Sequence, residues 1–236
     1  MISSGSRELD DGKGVLGDMH VEKFFSDADL QEIEGAVRDA EKRSSGEIVP
    51  YVVSHSDHYE TAAWKGATLG AFTAVVAAGA ARYFGDAWGV PSLAWVMLPA
   101  LIGGALGYAA AAAIRPLKLA LTGQAKIEHR VRQRAAAAFL ENEVFKTRAR
   151  TGVLVFLSLF ERRVVVLGDA GINAHVGQHE WDAIVAGIVE GMRAGHPGKA
   201  LADAIARCGE LLERHGVTGA ADDTDELPDQ LRMREE

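Results

Sequence analysis

The sequence predicts an α/β fold: a small α/β sandwich, a central sheet with helices on both sides, interrupted by a two-helix transmembrane hairpin. Three observations carry that expectation. Two long apolar runs lie between Ala62 and Ala113 in an otherwise polar and acidic chain. Runs of β-forming residues stand on both sides of them, EIVPYVV before and VLVFLSL with RVVVL after. Segments with apolar residues at helical spacing flank those runs.

Residues 1–24 show no periodicity and several glycines, and read as a disordered tail. Ser26 offers an N-cap with Asp29 at capping-box spacing. Leu30, Ile33, Val37 and Ala40 then recur at helical intervals, so a helix is expected over about Asp27 to Arg43. Glu47 to Val53 reads as a strand, and Pro50, which has no N–H, places it at an edge or a bulge. Residues 25–60 thus hold one helix and one strand, too little to bury a core. They must complete their sheet with residues 116–216, beyond the apolar insertion of residues 61–115.

In that second part, Gln124 to Lys146 reads as a helix, broken by Thr151-Gly152. Val153 to Leu159 is a continuous apolar run, the pattern of a strand covered on both faces. Arg163 to Leu167 is expected as its antiparallel neighbour after the turn Phe160-Glu161-Arg162. Helices at about Gln178–Ala194 and Gly198–His215 present Trp181, Ile184, Val185, Ile188 and Met192, then Leu201, Ile205, Cys208 and Leu212. The acidic residues 217–236 read as a second disordered tail.

The spans are expected at about 62–82 and 93–114, each near the roughly 20 residues that cross ~30 Å of hydrocarbon. The first carries Lys65 near its start and the second no charge. Neither has the polar face of a soluble helix. Gly66 and Gly70, and Gly103 and Gly107, form two GxxxG pairs suited to close helix packing, within the hairpin or between protomers. Arg115, Lys118, Lys126, Arg130, Arg132 and Arg134 follow the second span, which places both termini on the cytoplasmic side of the membrane. Trp64 suits the inner interface, and Tyr83, Phe84, Trp88 and Trp95 the outer one. The N-terminus has neither the basic nor the apolar region of a signal peptide. A split domain also requires both parts on one side, hence an even number of spans. The partners implied are the lipid bilayer and a membrane protein or a second copy. A net charge of −8 argues against nucleic acid. The single cysteine, Cys208, excludes an internal disulfide.

Ser45-Gly46-Glu47-Ile48, Thr151-Gly152-Val153-Leu154, Glu161-Arg162-Arg163-Val164 through Gly168 and Ile172, and Met192-Arg193-Ala194-Gly195 together resemble the TPM domain family. The similarity is to a bacterial membrane-protein branch with an inserted transmembrane hairpin. It covers about Phe25–Ser54 and Ala125–His215. The resemblance implies a small α/β sandwich, and a role described variously as acid-phosphatase-like, divalent-cation-binding, or in membrane-complex maintenance or repair. This chain departs from secreted members in having Lys23-Phe24-Phe25-Ser26-Asp27, with no signal peptide, where those carry an Asp-containing turn.

Asp169 is the first acid to consider, because it ends a strand in a Gly-x-x-Gly turn, where ligand sites in α/β sheets gather. With Glu161 it is a candidate ligand pair for Ca²⁺ or Mg²⁺; otherwise it is a turn residue bonding its own backbone. His55 and His58, and His175 and His179, form close pairs. The second pair at i,i+4 would share a helix face, but lacks a third zinc ligand and a metalloprotease glutamate. Ser158 sits inside an apolar strand, not on a nucleophile elbow. Cys208 falls on a core stripe. Arg162 and Arg163 either grip a phosphate or stand in solvent, and the run Lys126–Arg134 either approaches anionic lipid or forms a solvated helix face. No nucleophile, base and oxyanion donor converge in sequence pattern. The expectation is a non-catalytic binding or membrane-complex maintenance module, with a divalent-cation-dependent phosphatase and a structural membrane scaffold as the alternatives.

Overall fold

The computed structural model describes residues 6–8, 24–44, 46–84, 93–147, 150–216 and 230–234. It divides into two units, residues 1–57 with 129–236, and residues 58–128. Most of the expected tails and the loop 85–92 with Trp88 lie outside the described residues.

The first unit is built on a five-stranded sheet ordered β1-β4-β3-β2-β5. Its strands are β1 (Ser6–Glu8), β2 (Ile48–Val53), β3 (Val153–Ser158), β4 (Arg163–Gly168) and β5 (Arg232–Arg234). β2 and β3 pair in parallel from Ile48↔Val153 to Val53↔Ser158. β3 and β4 pair antiparallel, Val153 against Gly168 and Ser158 against Arg163. One sheet is therefore completed across the apolar insertion, as the scarcity of elements before it requires.

Every residue of β2, β3 and β4 is buried. Parity decides which face each side chain meets. Ile48 and Val52, with Val153, Val155, Leu157, Val164 and Val166, join a core contributed by three helices. These are α1 (Asp27–Glu41), α7 (Gln178–Arg193) and α8 (Pro197–Arg214). On the opposite face Tyr51 stacks on Phe156 with ring centroids 6.0 Å apart. Arg134 of α5 (Gln124–Glu141) lies over the Tyr51 ring at 5.6 Å and donates to its hydroxyl at 3.1 Å. Helices thus cover both faces, as expected. α1 starts where its capping box predicts, with Asp29 N–H donating to Ser26 Oγ and Ser26 N–H returning to the Asp29 carboxylate at 2.8 Å.

Pro50 explains the sheet's edge. Ser54 N–H donates to Arg234 O on the β5 side, so alternation turns the nitrogens of Val52, Pro50 and Ile48 the same way. Pro50 has nothing to donate there, and β5 begins only opposite Tyr51. Farther back, Ile48 N–H is taken by the Glu41 carboxylate at 3.0 Å. β2 is therefore an edge strand up to Pro50 and an interior strand beyond it.

Three expectations are corrected. Both supposed tails contribute to the sheet: Ser6–Glu8 pairs with Val165–Arg163 of β4, and Arg232–Arg234 pairs with Tyr51–Val53. The helix predicted to Lys146 ends at Glu141. Asn142 folds its amide back onto Ala138 O, Glu143 adopts a left-handed φ of 56°, and a 3₁₀ turn spans Val144–Lys146. That turn brings Val144 O against Gly152, where any side chain would collide with it.

In the second unit, α2 (Glu60–Phe84) and α3 (Ala94–Ala113) form the hairpin, followed by α4 (Arg115–Thr122), a short helix the sequence reading does not separate. Pro116 starts α4 in its first turn and Gly123, at φ 86°, stops it. Both long helices are long and apolar enough to cross a membrane.

Candidate functional site

Asp169 sits where β4 delivers it, as N-cap of the four-residue α6 (Ala170–Asn173). Its Oδ1 accepts from Ala170 N–H at 2.6 Å, the turn role that the sequence allows. Arg150 holds the same carboxylate from a second segment, with Nη2 3.0 Å from Oδ1 and Nε 2.8 Å from Oδ2. Asp169 is 5% exposed. A carboxylate clamped by guanidinium and backbone has its charge already balanced, which leaves little for a cation to gain.

Glu161 lies in the β3–β4 turn, at the opposite end of β4. With six strand residues between them, the two acids stand on the order of 20 Å apart, so the candidate pair does not share a ligand. Glu161 belongs instead to a buried polar knot at the carboxyl ends of the parallel strands β2 and β3. Its Oε1 accepts from Ser56 N–H at 2.9 Å, its Oε2 from the Ser158 hydroxyl, and Ser56 Oγ and Ser158 Oγ are 2.8 Å apart. Next to Ser56, Asp57 pairs with Arg130 at 2.8 Å. Glu161 is 3% exposed and Ser158 fully buried. The knot ties the strand ends together, and a hydroxyl closed off in this way cannot reach a substrate carbonyl or phosphoryl group. Among the described residues no three His, Cys, Asp or Glu side chains gather to hold a metal.

The histidines separate. His55 shares a hydrogen bond with Ser54 Oγ at 2.9 Å, and His58 is exposed. Gly177 is the N-cap of α7. His175 therefore precedes that helix while His179 lies on it, and the expected common helix face does not form. The acid that follows His179 is engaged elsewhere: Glu180 accepts from Gly177 N–H at 3.1 Å and lies 3.2 Å from His215 Nε2. The Gly177 N–H, above all, holds the Glu180 carboxyl below the usual glutamate range, assisted by His215 and opposed by partial burial. Burial pushes the Cys208 thiol up to about 12, the behaviour of a core residue. Arg163 is buried and Arg162 occupies a left-handed turn position at φ 52°, so they form no open phosphate clamp. The basic run is divided too: Lys126 donates to Thr61 Oγ1, while Arg134 is buried against Tyr51 and Glu141.

The four glycines face one another inside the hairpin. A Cβ on Gly66 would fall 2.5 Å from Gly107 O, and one on Gly103 would fall 2.5 Å from Gly70 O. Side chains on Gly70 and Gly107 would likewise strike the backbone of Gly103 and Gly66. The motifs serve packing within the hairpin. Sequence reasoning missed the Arg150 clamp and the serine–glutamate knot, since each joins residues that nothing in the linear pattern connects.

With this geometry in view, comparison with known proteins gives three findings. A family model described as TPM domain matches residues 120–211. That stretch omits α1 and β2, which belong to the same compact unit. No curated protein matches the chain. Its fold is similar to the NMR structure of BA42 protein from the psychrophilic bacterium Bizionia argentinensis, with a TM-score of 0.55 and 20% identity, covering 91% of this chain and 99% of that one.

Proposed function

We propose that this chain is a multi-pass protein of the bacterial cytoplasmic membrane, whose TPM domain serves as a non-catalytic binding or membrane-complex maintenance module on the cytoplasmic side. One observation carries the anchoring: the apolar side chains of α2 and α3 point outward. Phe72 and Leu101 are each 68% exposed and Leu106 67%. Leaving such side chains in water forgoes about 1.5–3 kcal/mol for each that burial would supply, so a hairpin of this kind needs lipid around it. Its polar groups agree. The hydroxyls of Thr68 and Thr73 bond back to Trp64 O and Leu69 O within the helix, as hydrocarbon surroundings demand. Lys65 reaches Leu121 O at 2.8 Å. The basic residues from Arg115 to Arg132 favour termini on the inner side, and a sheet shared by both segments supports having them on one side.

The binding role is favoured over turnover because the candidate acids are already satisfied, Asp169 by Arg150 and Glu161 by two serines. Alkaline carbonate extraction of cell membranes tests the anchor. The full chain stays with the pellet and leaves it only in detergent; recovery in the carbonate supernatant would refute membrane insertion. In detergent the purified chain should hydrolyse no phosphate ester above background with Ca²⁺ or Mg²⁺. Metal-dependent turnover abolished by Asp169→Asn would establish the phosphatase alternative instead.

A further inference from the structure

Glu41, Pro50 and β5 protect the outward side of β2 by three different means. Glu41 accepts from Ile48 N–H, Pro50 has no N–H, and from Val52 onward the edge is covered by three residues close to the end of the chain. Those residues fit the edge by strict alternation. Leu231 and Met233 turn to the helical core, Leu231 8% exposed and Met233 packed against it. Arg232 and Arg234 turn to the α5 side. Arg232 Nη1 donates to Asn142 Oδ1 at 2.6 Å, and Arg234 Nη1 donates to Glu141 Oε2 at 2.9 Å.

We propose that the β2 edge from Val52 to Ser54, with Glu141 and Asn142, is a docking groove for a partner protein's extended segment that alternates apolar and arginine side chains, filled in cis by Leu231–Arg234. The seated segment displays the chemistry that the groove accepts: main-chain pairing in parallel with β2, an apolar slot on one face, and on the other the Glu141 carboxylate beside the Asn142 amide. Pro50 fixes where such pairing starts, which sets the register. Displacement is easy by comparison with the rest of the sheet. β5 pairs with β2 alone over three residues, whereas β2 and β3 pair over six. Its Arg234–Glu141 contact is also half open to water, with the two side chains 55% and 48% exposed, and exposed ion pairs hold weakly. The groove does not depend on the membrane assignment, and its test reads out separately from carbonate extraction.

The probe is a fluorescent peptide with the sequence of residues 230–236, titrated by polarisation against two detergent-solubilised chains, full-length and lacking residues 217–236. Saturable binding is expected to the shortened chain and at least tenfold weaker binding to the full chain, whose own segment competes. Glu141→Arg in the shortened chain weakens binding at least tenfold, as does replacing both peptide arginines by glutamate. Should the shortened chain lose its native circular dichroism, the full chain carrying Arg232→Glu and Arg234→Glu takes its place, with the same expectations. Equal binding to filled and emptied chains would overturn the proposal, as would no binding to an emptied chain that stays folded. A full chain that doubles in mass through its own C-terminus would overturn the assignment to a partner protein and give the groove to a second copy.

Discussion

Glu180 shows how one side chain serves two elements. Its carboxylate closes the N-terminus of α7 through Gly177 N–H and meets His215 just past the end of α8. Because its folded carboxyl titrates below the unfolded value near 4.5, the stability it lends is complete above that value. That stability is lost as pH falls through the lower folded value. Glu180→Gln keeps an acceptor for Gly177 but removes the charge. At neutral pH the variant should lose less than about 1 kcal/mol, as partly exposed pairs do. Its urea midpoint should then fall less than that of the wild type between pH 6 and pH 3; parallel decline of both chains would show that Glu180 is not the titrating group. At this scale the sequence was legible where partners are local. Ser26 and Asp29 declare a capping box three residues apart, and Asp169 declares a turn. Arg150 reaching Asp169 and Ser56 reaching Glu161 could not be read, because each contact depends on how the sheet registers.

Among the elements, legibility followed periodicity. β3 and β4 stood out as continuous apolar runs, and α7 and α8 matched their apolar stripes to within a residue or two. The helix over-extended to Lys146 failed because a left-handed residue, Glu143, stops it without any glycine or proline to mark the place. β5 was missed for a different reason. Leu231-Arg232-Met233-Arg234 alternates as a strand should, but it follows the acidic stretch ADDTDELPDQ, whose composition outweighed four residues of pattern. The glycines of α2 and α3 were visible, but which surface they served was not, since a GxxxG spacing says only that something approaches closely. Gly70→Leu should therefore separate the two helices. The hairpin's stability in detergent is expected to fall by about 1–3 kcal/mol, the usual cost of overpacking, with no change in oligomeric mass. Dissociation of a larger species without loss of hairpin stability would assign the glycines to a seam between copies.

At the scale of the molecule, the sheet-bearing unit is discontinuous, but the points where the insertion leaves and returns are adjacent: Asp57 and Arg130 meet at 2.8 Å. Replacing residues 58–128 by a short Gly/Ser linker should accordingly yield a domain that folds in buffer without detergent. Its β2–β3 register would be preserved, as followed by amide exchange protection of Val53 and Leu157, whose N–H groups face the partner strand. Aggregation or a molten domain would mean that the hairpin contributes to the core. The split of this unit was legible early, because one helix and one strand cannot make a domain alone. What lay beyond reach was the edge: how Pro50, Glu41 and the last described strand share the protection of β2.

The parallel pairing of β2 with β3 has a consequence for biogenesis. During synthesis β2 emerges well before its neighbour, and under the membrane anchoring proposed above the two are reunited only if the intervening apolar helices enter and leave the bilayer as a pair. A chain whose second helix stalled, or whose first failed to insert, would then strand the two halves of its sheet on different sides and leave a bare β edge. On that proposal, closure of the sheet would report that both helices have been threaded together.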